Sequence, residues 1–242
     1  MNAALGGREV SVRTPGRRRP AGLPASRLDG RTLESAESRG KHLLLHFEGG
    51  LALHSHLGMS GGWHLYRQGE RWRRSAGAAW IALAAGEVEA VNFNGTSMRI
   101  VREAELPRDR RLARLGPDIL DPGLDDARAA SALAAAGPDV QVGEALLDQT
   151  VLAGVGNIFK SEGCFAARVS PWRPVGDLSP AELRAVAGST RALMAAAAES
   201  GRQPKRIYRR AGMPCPRCRA PIRSRGQGDD ARTSYWCPEC QV

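Results

Sequence analysis

Nowhere in the 242 residues is there an apolar run of the roughly 18 residues that a membrane-spanning helix needs. The longest, such as LLLHF and LMAAAA, stop far short, and the opening MNAALGGREV lacks the apolar stretch of a secretory signal. A soluble, cytoplasmic protein with no membrane partner is therefore expected. Cysteine is scarce as well, five in all, with Cys164 alone and the other four between Cys215 and Cys240. Without a secretion signal, a disulfide framework is disfavoured, and Cys164, set among apolar residues in EGCFAARV, reads as part of a core. Acids are the third shortage, 25 Asp and Glu against 35 Lys and Arg, so that the net charge is +10 and the pI about 10.2. A polyanionic partner follows as the first functional expectation.

What is present begins with 42% hydrophobic residues, enough to bury a real core. Cys215-x2-Cys218 and Cys237-x2-Cys240, with eighteen residues between the pairs, have the spacing of a four-thiolate zinc site. Each pair makes a tight knuckle, and a hairpin returns the second to the first. One structural zinc is expected, since four protein ligands leave no open position for an activated water. Only API and YW are apolar between the knuckles, so metal binding must supply the folding free energy, on the order of 10 kcal/mol or more. Four thiolates and a divalent cation bring the formal charge from +10 to +8. The segment stays basic, with ten Lys and Arg against three acids between Gly201 and Val242, and its tip GQGDDARTS can hold Arg232 against a nucleic-acid groove.

From Ala127 onward the pattern is helical: ARAASALAAA, GEALLDQTVLAG, NIFKSEGCFAARV and SPAELRAVAGSTRALMAAAAES. Ser179, Pro180 and Glu182 predict a capping box with proline at the first helical position. Leu183, Val186, Ala187, Thr190, Leu193, Met194 and Ala197 keep helical spacing along one face. Gly154-Val155-Gly156 ends one helix and Asn157 opens the next, whose amides would suit phosphate oxygens; a lone Gly-x-Gly is more often a plain helix-helix turn. Upstream, HLLLHF and LALHSHL flank Gly49-Gly50 and read as a β-hairpin. On local sequence alone His54 and His56 read as structural, Met59 as core and Lys41 as a solvated strand lysine.

The string LLDQTVLAGVGNIFKSE resembles the helix-two-turns-helix element of the formamidopyrimidine-DNA glycosylase and endonuclease VIII family of base-excision repair enzymes. RLGPDIL (Arg114 to Leu120), RGKHLLLHF (Arg39 to Phe47) and LHSHLGMSGGW (Leu53 to Trp63) are similar to its interdomain segment and N-terminal strands, and YRRAGMPCPRC and RTSYWCPECQ to its zinc finger. The resemblance implies an α+β multi-domain protein: an N-terminal β-sandwich over residues 1–118, a helix-two-turns-helix DNA-binding domain over 119–200, and a four-cysteine zinc-finger hairpin over 201–242, with DNA in the cleft between the halves. It implies roles too. Asn157 would grip the phosphates flanking the lesion, Arg232 the backbone around the flipped nucleotide, and Met59 would fill the space left by the extruded base. Lys41 would be an acid and phosphate contact beside the damaged nucleoside, because an ammonium near phosphates stays protonated at neutral pH and can donate.

The family's chain begins with Pro-Glu at the head of a helix: the proline amine attacks the anomeric carbon to form an imine, and the glutamate handles protons. This sequence begins Met1-Asn2-Ala3, and AALGGREVSV resembles the end of that helix and the strand after it. Roughly fifteen residues, about four helical turns, are expected to be missing, as from a start placed too far downstream. The expected activity is a DNA glycosylase with abasic-site (β/δ-elimination) lyase activity on oxidised bases in double-stranded DNA, carried out by a monomer in the bacterial cytoplasm and on the nucleoid. Oxidised pyrimidines are set slightly ahead, because YRRAGMPC and RTSYWCPECQ lean towards endonuclease VIII-like members while LGMSG leans towards the purine branch. The alternative is a catalytically inactive binder of damaged DNA, on the ground of the absent Pro-Glu. A zinc-ribbon module of transcription or the ribosome would account for the finger and the charge but leaves RGKHLLLHF and LGPDIL unexplained.

Overall fold

His42–Phe47 (β3) and Leu51–His56 (β4) pair antiparallel from Phe47↔Leu51 to His42↔His56, the hairpin that the sequence predicts across Gly49-Gly50. In a computed structural model of the chain, which describes residues 1–17, 20, 22–58 and 61–242, this hairpin belongs to an antiparallel sheet. Its other strands are Arg8–Arg13 (β1), Arg31–Arg39 (β2), Gly62–Arg67 (β5), Ala79–Ala85 (β6), Val88–Phe93 (β7) and Ser97–Arg102 (β8), in the order β5-β7-β6-β1-β2-β3-β4-β8. β1 serves both layers: Arg8, Glu9 and Val10 pair with β2, whereas Ser11, Val12 and Arg13 pair with β6. The result is a β-sandwich.

The period of two along β3 sends Leu43, Leu45 and Phe47 to one face and His42, Leu44 and His46 to the other. The first set joins Leu33 and Leu53 of its own layer and Ile81, Leu83 and Ala90 of the opposite layer in one core. Each large side chain fully withdrawn there contributes about 1.5–3 kcal/mol. Asn2–Leu5 forms one turn of helix, α1, whose Leu5 is buried in the same core. After β8 come a 3-10 segment, Glu103–Arg108, and a short helix, Arg110–Ala113 (α2).

Met1–Ala113 and Arg114–Val242 are two compact units. The second contains helices Asp126–Ala134 (α3), Val142–Ala145 (α4), Asn157–Ala167 (α5) and Pro180–Ser200 (α6), followed by a hairpin of Arg223–Gln227 (β9) and Arg232–Trp236 (β10). α6 starts with the predicted capping box: Ser179 Oγ accepts from the Glu182 amide at 3.3 Å and Glu182 Oε2 accepts from the Ser179 amide at 2.8 Å. α5 and α6 touch at Gly163, where a Cβ would lie 2.1 Å from Thr190 Oγ1; only glycine permits that approach. Cys164 is fully buried in the helical core with Leu146, Leu152, Val186 and Met194.

GEALLDQTVLAG departs from the continuous helix that its pattern predicts. α4 stops at Ala145 and the chain turns twice before Asn157. The physical reason is Gln149: its Nε2 donates to the carbonyls of Leu147 (2.8 Å) and Val155 (3.2 Å), and its Oε1 accepts from the Gly154 amide (3.0 Å). The side chain satisfies backbone groups that a helix would otherwise pair. The architecture is thus α+β, a β-sandwich followed by a helix-two-turns-helix unit that carries a four-cysteine hairpin. Among the described residues no helix is long and apolar enough to cross a membrane.

Candidate nucleic-acid interface and metal centre

The Sγ atoms of Cys215, Cys218, Cys237 and Cys240 all lie within 4.8 Å of one another. Cys215 and Cys240 are 3.9 Å apart and Cys218 and Cys237 3.4 Å. A tetrahedral zinc with bonds of about 2.3 Å would space its sulfurs about 3.8 Å apart, so donor set and spacing suit one structural zinc. Among the described residues no other cluster of His, Cys, Asp and Glu qualifies. The finger's small core is completed by a neighbour: Phe165 of α5 buries with Ile207, Cys215, Ile222 and Cys237. Arg217 fastens the joint, its guanidinium 4.1 Å from the centroid of the Phe165 ring and donating to the carbonyls of Phe165 (2.6 Å) and Ala166 (3.2 Å). These are carbonyls of a helix end, where a cation is favoured.

At the other end of α5 the N-cap is Gly156, with no side-chain cap, so the first amides are left to solvent or ligand. The two glycines of the turn differ. Gly154 has φ 99 and needs its conformational freedom; Gly156 has φ −113, and a Cβ there would meet nothing, so neither backbone strain nor packing requires a glycine at that position.

Asn157 Nδ2 donates to the Thr233 carbonyl at 2.8 Å. That bond sets Asn157 beside Arg232, the exposed first residue of β10, whose guanidinium lies 3.5 Å from Asp230. One helical turn further, Lys160 is fully buried. Its Nζ donates to Ser234 Oγ (2.5 Å) and Gln227 Oε1 (3.4 Å), and Gln227 Nε2 donates on to Gln141 Oε1 and the Pro171 carbonyl, both at 2.8 Å. Burial pulls the Lys160 ammonium down to about 8. Glu162 Oε1 accepts from the amides of Ile207 and Tyr208, each at 2.9 Å, and so holds the approach to the finger.

In the first unit Lys41 is exposed in the two-residue turn Gly40-Lys41 that joins β2 to β3. Next to it His42, His54 and His56 group on one face of β3 and β4, with the His42 ring centroid 4.9 Å from each of the other two.

Residues 4–117 match the formamidopyrimidine-DNA glycosylase N-terminal domain, residues 115–208 the formamidopyrimidine-DNA glycosylase H2TH domain, and residues 212–242 the zinc finger found in FPG and IleRS. The chain belongs to the formamidopyrimidine-DNA glycosylase family. It is 43% identical over 230 residues to the probable endonuclease 8 2 of Streptomyces coelicolor, covering 89% of this chain and 81% of that one. It is 36% identical over 233 residues to the DNA-(apurinic or apyrimidinic site) lyase Nei2 of Mycolicibacterium smegmatis, covering 89% and 84%. The fold is shared with Lactococcus lactis Fpg solved with DNA containing an abasic site: TM-score 0.79 over 98% of this chain and 93% of that one, at 19% identity.

Of the residues singled out in the sequence, the four cysteines converge, and Asn157 bonds to Thr233, the neighbour of Arg232 in β10. Lys41 stands on the β2–β3 turn of the other unit, and Met59 lies outside the described residues. Cys164 is core, its thiol pushed up to about 12 by burial. Lys160 leaves one sign in the sequence, a charge directly after the apolar pair Ile158-Phe159 in the helical segment NIFKSEGCF.

Proposed function

We propose that the protein is a base-excision repair DNA glycosylase with abasic-site lyase activity, acting as a monomer on oxidised bases in double-stranded DNA in the cytoplasm, with oxidised pyrimidines ahead of purines. The observation that carries this is the hydrogen bond from Asn157 to the Thr233 carbonyl. It joins an uncapped helix N-terminus, a side-chain amide with a second N–H to give, and Arg232 into one anion-binding edge. Asn157 and Arg232 grip the phosphates around the lesion, Met59 takes the place of the extruded base, and Lys41 contacts phosphate and gives a proton to the departing group. The zinc holds the finger hairpin and takes no part in bond breaking. The pyrimidine preference rests on YRRAGMPC and RTSYWCPECQ.

In this chemistry an amine attacks C1′ and the glycosidic electron pair leaves with the base; the C1′–O4′ bond then breaks, O4′ takes up a proton as the sugar ring opens, and the nitrogen lone pair closes the C1′ imine that borohydride reduces to a stable adduct. The second reading is a protein that binds damaged DNA without cutting it. Borohydride trapping on an abasic duplex separates the two. A chain carrying Pro-Glu at its N-terminus should yield an adduct and release an oxidised pyrimidine faster than an oxidised guanine. Tight binding of the abasic duplex with no adduct from either form of the chain would favour the second reading, and faster release of the purine would reverse the preference.

A further inference from the structure

We propose that His42 is a second contact to the phosphate held by Lys41, donating a hydrogen bond from Nε2. The inference rests on the reading of the Lys41 turn as DNA-facing and extends it to a neighbouring residue.

A hydrogen-bond chain through His42 runs in one direction. Arg99 on β8 donates to His54 Nδ1 from Nε (3.1 Å) and Nη2 (2.9 Å). A guanidinium can only donate, so His54 Nδ1 is an acceptor and the ring's proton sits on Nε2. His54 Nε2 lies 2.8 Å from His42 Nδ1 and therefore donates to it. The same rule then puts the His42 proton on its own Nε2, at the opposite edge of the ring. Arg99 is anchored from behind by an ion pair with Asp109, so the chain Asp109–Arg99–His54–His42 fixes both tautomers. His42 Nε2 has no hydrogen-bond partner among the described residues, and it directly follows Lys41 in sequence.

The surroundings favour an anion over a cation. Around His42 stand Lys41 on the turn, His54 and His56 on β4, Arg99 on β8 and Arg111 on α2, with Arg39 opposite it on β2. Of the carboxylates on the neighbouring elements, Asp109 pairs with Arg99, Glu105 with Arg102, and Glu37 with Arg39 and His46. Burial, and after it the positive charge of His56, Arg111, Arg99 and Lys41, brings His42 down to about 4; burial and Arg99 bring His54 to about 4. Both rings are neutral at pH 7. His42 thus offers a directed N–H in a positive field while adding no charge of its own.

The test uses the full-length, zinc-loaded protein and a duplex with a tetrahydrofuran abasic site at pH 7.5, with affinity measured by anisotropy over a range of salt. His42→Phe should weaken binding on the order of tenfold, the worth of one hydrogen bond to a charged acceptor. The slope of log affinity against log salt should not move, because no counterion-releasing charge is lost. Lys41→Ala should reduce that slope by about 0.9. His42→Gln, whose Nε2–H reaches the same place, should recover most of the loss. With a methylphosphonate in place of the contacted phosphate, the wild type and His42→Phe should bind alike. An equal His42→Phe penalty at every methylphosphonate position, or a Gln variant that is folded yet no better than Phe, would overturn the proposal and reduce His42 to a packing residue. If the wild type prefers the abasic duplex but His42→Phe has no effect, this contact alone falls; if the wild type shows no such preference, the DNA-repair reading falls with it.

Discussion

An ammonium taken out of water loses several kcal/mol of hydration unless protein groups replace it, and among the described residues Lys160 has Ser234 Oγ and Gln227 Oε1 as hydrogen-bond acceptors. Its depressed pKa, down to about 8, records the unfinished compensation. The sign follows from proton counts. Between about pH 8 and the ordinary lysine value of 10.5, the unfolded chain holds a proton that the folded chain has released. The full penalty is therefore present below pH 8, and stability rises with pH through that window. Replacing Lys160 with Met removes charge and penalty together and leaves Ser234 and Gln227 bonded to each other at 2.6 Å. Lys160→Met should accordingly change stability at pH 7.5 by less than about 1 kcal/mol and abolish the rise between pH 8 and 10. Ser234→Ala, which strands the ammonium, should cost about 1–3 kcal/mol. Urea unfolding of the three proteins at pH 7.5 and 9.5 checks this, and a pH dependence identical in wild type and Lys160→Met would refute it.

At the scale of elements, what the sequence reveals is what is local. The start of α6 is legible because Ser179, Pro180 and Glu182 fall within four consecutive positions, and the finger because each pair of thiols is separated by two residues. The end of α4 is not legible, since it depends on where the side chain of Gln149 finds carbonyls. Nor is the His42–His54–Arg99 chain, which needs the register of three strands at once, or the Lys160 network, whose partners lie 67 and 74 residues further on. The capping box yields its own prediction. The Glu182 carboxyl is held down to about 2, first by its hydrogen bond with Arg173 and then by the backbone and side chain of Ser179. Because the folded pKa is depressed, this support is complete above the ordinary carboxylate value and disappears as pH falls through about 2. Ser179→Ala should lower stability by about 1 kcal/mol. Thermal melts at pH 7 and pH 2 should show the wild-type advantage shrinking in acid; an undiminished difference at pH 2 would mean that the Glu182 half of the box contributes nothing.

For the whole molecule the decisive question is how far the effect of the metal reaches. The sandwich core draws only on residues of the first unit, from Leu5 to Met98, and the helical core of the second runs from Ile119 to Met194 without a finger residue. The finger's core, by contrast, consists of Phe165, Ile207, Ile222 and the buried thiols, too little to offset chain entropy without a metal. Loss of zinc should therefore unlock a defined set of groups. Four thiolates would repel or take up protons, Arg217 would leave the end of α5, and Ser234 and Gln227 would release Lys160 to water. With β10 loose, the Thr233 carbonyl no longer positions Asn157, and Arg232 loses its place beside it. One zinc per chain is the expected stoichiometry by elemental analysis. Cys237→Ser should abolish binding of an abasic duplex, and hydrogen exchange should accelerate in β9, β10 and residues 207–222 while β1 to β8 and α6 stay protected. If the sandwich strands exchanged as fast as the finger, zinc would be supporting the entire chain and the independence of the three cores would be wrong. If DNA affinity survived the substitution, the anion-binding edge at Asn157 and Arg232 would not be where this protein holds DNA.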